Sequence, residues 1–122
     1  NQVSRPVDLG TINHYQGDTF YLSFSFLNSD NQPIDLINYT FNMELIVPNS
    51  ISAYSSTASN FILGSTSEGN TLGVKDELNI RIDQTDMELP CGIYKFDIQF
   101  TQPNGDIQTY FIGEIKIIQD IT

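Results

Sequence analysis

The segment Phe20 to Phe26 places Phe20, Leu22, Phe24 and Phe26 at even positions, with Tyr21, Ser23 and Ser25 between them. Only an extended strand, whose side chains point alternately to opposite faces, sorts this pattern into one apolar and one polar side. The same two-residue beat returns in Tyr39-Phe41-Met43-Leu45-Val47, Leu78-Ile80-Ile82, Tyr94-Phe96-Ile98-Phe100 and Phe111-Gly113-Ile115-Ile117. Nearly every apolar cluster belongs to one period, which predicts an all-β protein.

Turn chemistry divides these runs. Strands are predicted over Val7 to Ile12, Thr19 to Leu27, Tyr39 to Val47 (stopped by Pro48), Phe61 to Leu63, Glu77 to Ile82, Ile93 to Thr101 and Ile107 to Ile118. Asn28 to Pro33 and Gly64 to Gly73 are turn clusters, and Asn104-Gly105 is the strongest hairpin signal in the chain. Asp83 to Leu89 fits one short helical turn capped by Asp83 or Thr85. Residues 1–122 read as a single domain, with 1–6 an N-terminal arm and 49–60 a Ser/Asn-rich loop insert, either a long exposed loop or a loosely held hairpin. About seven short strands without an amphipathic helix point to two antiparallel sheets packed as a sandwich with Greek-key connections, a small closed barrel being the alternative.

Charge restricts the partners. Fifteen acidic against five basic residues give a formal net charge of -10, a sign that repels phosphate backbones and anionic head groups, so no nucleic acid is expected. No run of about eighteen apolar residues is present, and no membrane insertion is expected. The lone Cys91 excludes an internal disulfide framework. The single histidine, His14, has no Gly-x-Ser-x-Gly elbow to serve and is assigned a surface or capping role. Asp76, Glu77, Asp83, Asp86 and Glu88 supply oxygen ligands, but their spacing matches no cation loop; calcium at a subunit contact stays open. No catalytic, cofactor or metal constellation is found.

Contact candidates follow from strand phase. Tyr21 and Tyr110 lie opposite their Phe neighbours and are expected to be exposed; with Tyr54 in the Ser-rich insert they are the residues on which a sugar ring could stack. Ile46, Ile112 and Ile118 fall on the outward phase, as a packing surface for a neighbouring protein would. Tyr94, following Leu89-Pro90-Cys91-Gly92, has the placement of a corner tyrosine.

Gln16-Gly17-Asp18-Thr19-Phe20, Asn31-Gln32-Pro33-Ile34-Asp35-Leu36 followed by Tyr39-Thr40-Phe41-Asn42-Met43, Leu89-Pro90-Cys91-Gly92-Ile93-Tyr94 and the closing Gly113-Glu114-Ile115-Lys116-Ile117 occur in an order that resembles small tailed-phage virion proteins with an immunoglobulin-like fold. The chain is similar to the N-terminal domain of phage upper baseplate proteins from about Gln16 onwards, omitting the insert; Cys91 stands where a small residue such as Ala is usual. The resemblance implies an immunoglobulin-like sandwich and a non-enzymatic virion component, made in the host cytoplasm and packed in many symmetric copies against tail, neck or capsid proteins. Within it, a baseplate adaptor for fibres, a decoration protein on the head and a carbohydrate-binding module for host glycans are the three expectations.

Overall fold

In the computed structural model, which describes residues 6–47, 49, 51–65 and 74–119, eight strands form two sheets. They are β1 (Val7–Tyr15), β2 (Phe20–Ser25), β3 (Thr40–Ile46), β4 (Ser52–Ser55), β5 (Phe61–Gly64), β6 (Glu77–Ile82), β7 (Gly92–Thr101) and β8 (Ile107–Ile118). One sheet has the order β1-β8-β7-β3-β4 and the other β2-β6-β5. The chain passes between sheets from β1 to β2, β2 to β3, β4 to β5 and β6 to β7, which makes an immunoglobulin-like Greek-key sandwich. Residues 1–5 of the expected arm, Pro48 and 66–73 of the second turn cluster lie outside the described residues.

The inward phase of each strand builds the core. Met43 and Leu45 of β3, Leu78, Ile80 and Ile82 of β6, Phe96, Ile98 and Phe100 of β7 and Ile115 of β8 are all buried. Aromatic rings bind the layers together: Phe24 stacks on Phe111 with centroids 4.1 Å apart, and Phe41 meets Phe61 at 5.5 Å. Such pairs add to the stabilisation from area burial alone.

Two corners are made by side chains that the sequence marks. The Tyr94 hydroxyl donates to the Pro90 carbonyl, tying the start of β7 to the turn that enters it. Asp35 accepts from the backbone N–H groups of Ile37 and Lys75, so one carboxylate joins the loop after β2 to the approach to β6 and seats Leu36 in the core. The predicted helical turn is a 3-10 turn at Gln84–Met87, with Asp83 at its N-cap and Met87 buried. The hairpin joining β7 and β8 closes with Gly105 at φ 93, a backbone conformation that suits glycine.

Three expectations change. The sandwich has eight strands and is not wholly antiparallel, because β1 pairs with β8 in parallel. β1 also runs on to Tyr15: Asn13, His14 and Tyr15 pair with Lys116, Ile117 and Ile118, and ladder pairing outweighs their polarity where one face is open to water. Of the two expectations for the 49–60 insert, the hairpin holds and the long exposed loop does not. The insert forms β4 against β3 and a 3-10 turn at Ala58–Asn60, anchored by the buried Asn60 amide, which donates to the Arg81 carbonyl and accepts from the Tyr54 hydroxyl and the Thr57 N–H.

Candidate functional site

The outer face of the five-stranded sheet carries two parallel rows of side chains. One row crosses Asp8, Ile112, Asp97, Glu44 and Ser55; the next crosses Thr11, Glu114, Lys95, Ile46 and Ser52. Both rows follow from register, since directly paired residues project to the same face. Between Asp8 and Thr11 the edge strand bulges at Gly10, whose φ of 72 favours glycine, and the Asp8 carboxylate holds the bulge by accepting from the Gly10 N–H at 2.8 Å. Beside the bulge lies an open groove of about 610 Å³, with Ile46 and Ile112 as apolar lining and Lys95, Asp97 and Glu114 as charged lining.

Electrostatically the groove is acidic. Asp97 sits directly opposite Glu44 on β3, and burial, followed by the Glu44 charge, raises its pKa above the ordinary carboxylate value. The folded state therefore holds a proton that the unfolded chain releases, and stability falls as pH rises from the ordinary value through the raised one. Asp97→Asn is expected to be more stable than the parent near neutral pH, the gap closing in acid. Urea midpoints across pH test this, and a variant less stable at neutral pH would contradict it.

Of the six contact candidates, five read from strand phase and Tyr54 from the insert, the structure places two along one groove. Ile46 and Ile112 share the groove, with β7 between them. Ile118 keeps the outward phase but pairs with Tyr15, six residues and roughly 20 Å further along β8. Tyr21 is 67% exposed on the opposite sheet, with the Arg81 guanidinium 6.0 Å from its ring centroid. Tyr54 is partly buried, its hydroxyl bonded to Asn60 at 2.7 Å, and burial raises its pKa.

Tyr110 corrects the expectation of exposure. Its ring stacks on Phe100 at 4.2 Å with a 5° interplanar angle. The register of β7 and β8 shifts between Ile98 and Gln99, so Tyr110 and Phe111 both turn towards the core. The three tyrosines considered for sugar stacking thus share no platform, and Tyr21 alone of them is exposed.

The remaining candidates are accounted for locally. His14 packs edge-on against Phe20 and bonds the Asp18 carbonyl through Nε2 at 2.8 Å, closing the turn after β1. Cys91 is a free, exposed thiol in the turn before β7. Among the described residues, no three His, Cys, Asp or Glu side chains converge to hold a metal, and no helix is long and apolar enough to cross a membrane. Reasoning from strand phase missed the charged residues around the two isoleucines. The outward positions of Lys95 and Asp97 were readable from β7, whereas their neighbours Asp8, Glu44 and Glu114 depend on which strands pair. No family model matches the chain, and no curated protein is significantly similar to it.

Proposed function

We propose that this chain is a non-enzymatic structural module of a bacteriophage virion that docks a neighbouring virion protein, at the tail, neck or baseplate, through the outer face of its five-stranded sheet. The observation that carries this reading is the pairing of Ile46 and Ile112 in one groove on that face. Solvated sheet faces alternate cleanly to polar residues, so two β-branched side chains lining one groove there, on either side of β7, mark a surface suited to a partner. Asp8, Glu44, Asp97 and Glu114 surround them with a single Lys95, and the complementary partner presents lysine or arginine around an apolar centre. The phage context rests on the sequence resemblance, whose residue Asp35 joins two loops far apart in sequence and whose residue Tyr94 ties its own corner.

Ile112→Asp tests it. Ile112 is 37% exposed, so the variant is expected to fold, with a far-ultraviolet spectrum like the parent's, while its recovery in purified particles falls by about tenfold or more. Normal incorporation of the folded variant would sink the reading. Labelling the protein on intact particles then separates an adaptor on the tail from a decoration on the head.

A further inference from the structure

Edge strands expose unpaired backbone groups, and proteins usually blunt them with charge, proline, bulges or brevity. Three of the four edges here are treated in this way. β1 bulges at Gly10 and carries Asp8; β4 has four residues and a bulge opposite Leu45 and Ile46; β5 has four residues. β2 has none of these devices. Its register with β6 is unbroken from Phe20 opposite Ile82 to Ser25 opposite Glu77, and no charge, proline or glycine occurs between Phe20 and Ser25. In immunoglobulin constant domains the first strand lies beside the second and covers this edge. Here β1 joins β8 in the other sheet, and among the described residues no strand lies on the outer side of β2.

Backbone direction settles which groups face outward. The Phe26 N–H donates to the Asp76 carbonyl at 2.9 Å, continuing the β2–β6 register by one residue pair. Because bonded and non-bonded pairs alternate along an antiparallel ladder, Phe24, Leu22 and Phe20 turn their backbone groups to β6. Tyr21, Ser23 and Ser25 turn theirs to the open edge.

We infer that β2 is the docking edge for a second copy of this chain, joined by antiparallel β2–β2 pairing about a two-fold axis at Ser23. The pattern is self-complementary, as a two-fold interface requires. Centring on Ser23 sets Ser23 opposite its own copy and Tyr21 opposite the other copy's Ser25, and each such pair exchanges two backbone hydrogen bonds. Leu22 then faces Phe24 on the inner side. The facing residues are uncharged, and the row through Tyr21 runs from Arg81 of one copy to Glu77 of the other, so opposite signs end it. The two three-stranded sheets become one continuous sheet, leaving the groove of Ile46 and Ile112 on the far side of each copy. The net charge of -10 opposes the approach of two copies, so added salt strengthens pairing.

Sedimentation of the 122-residue chain at rising concentration in moderate salt tests this. A reversible dimer is expected, with the amides of Tyr21, Ser23 and Ser25 gaining protection from exchange as it forms. Ser23→Pro removes an outward N–H, which an edge strand tolerates, and is expected to weaken association by about tenfold or more. Ser23→Lys keeps the backbone intact, sets like charges face to face across the axis and is expected to do the same should the proline variant misfold. Ile112→Asp should leave the dimer unchanged, which separates this interface from the groove. The inference is overturned if the chain stays monomeric at every concentration. It is equally overturned by a dimer that both folded Ser23 variants retain, or one that Ile112→Asp abolishes.

Discussion

Replacing Phe100 with alanine is expected to cost about 3–5 kcal/mol of stability, the range for removing a fully buried phenylalanine, and to lower Tm by on the order of 10–20 °C. Phe100 is completely buried and stands at the centre of the aromatic cluster. Its ring contacts Tyr110 at 4.2 Å, Phe41 at 4.8 Å and Phe26 at 5.3 Å, with Tyr39 and Phe111 further out. These neighbours come from both layers, so no single strand can shift to fill the space. Denaturant titration measures the effect: the midpoint falls while the slope holds if packing alone is lost. A loss below about 1 kcal/mol would show that the cluster collapses around the gap, contrary to this account.

Gly113→Val is the second large effect. Gly113 occupies an inward position of β8 directly opposite Phe96, and the Phe96 ring lies over it. A Cβ at Gly113 would come within 2.8 Å of Phe96 Cζ and 3.0 Å of the Gly10 carbonyl oxygen. The ring, buried among core side chains, has little room to withdraw, and the carbonyl belongs to the β1 bulge. The expected loss is about 1–3 kcal/mol net of the better strand propensity of valine. Phe96→Leu in the same chain should recover part of it, which a double-mutant cycle reads as favourable coupling between the two substitutions. Additive losses would place the clash elsewhere.

Much of the fold was legible because strand side chains alternate and the core is formed from one phase. β6 and β8 run over the residues that the pattern marked, and Asp83 stands at the N-cap position of the 3-10 turn. What escaped had local causes. Counting from Phe111 puts Tyr110 outward, and a bulge breaks that count by placing two consecutive residues on one side. The Asn49 to Asn60 insert read as a loop because Ser and Asn resemble solvent-facing residues, yet Asn60 is buried as the hub of a hydrogen-bond network. Amide side chains serve as well for internal caps as for loops, and composition does not distinguish the two.

The site divides in the same way. Phase alone puts Ile46 and Ile112 on outward faces, but their sharing one groove follows from β7 lying between β3 and β8, and Ile118 falls outside it through its distance along one strand. The open edge of β2 was invisible in its own residues, since Phe20 to Ser25 reads alike for a central and an edge strand.

The sequence by itself determined that this chain is all β, most of the residues that enter its core and the turn that closes its last hairpin, because alternation and turn residues act over a few neighbouring positions. Tertiary structure alone decided strand order, the parallel docking of β1 on β8, the groove on one face and the bare edge on the other. Those features depend on pairings between residues far apart in the chain, where loop closure and shared burial, rather than local preference, select the partner.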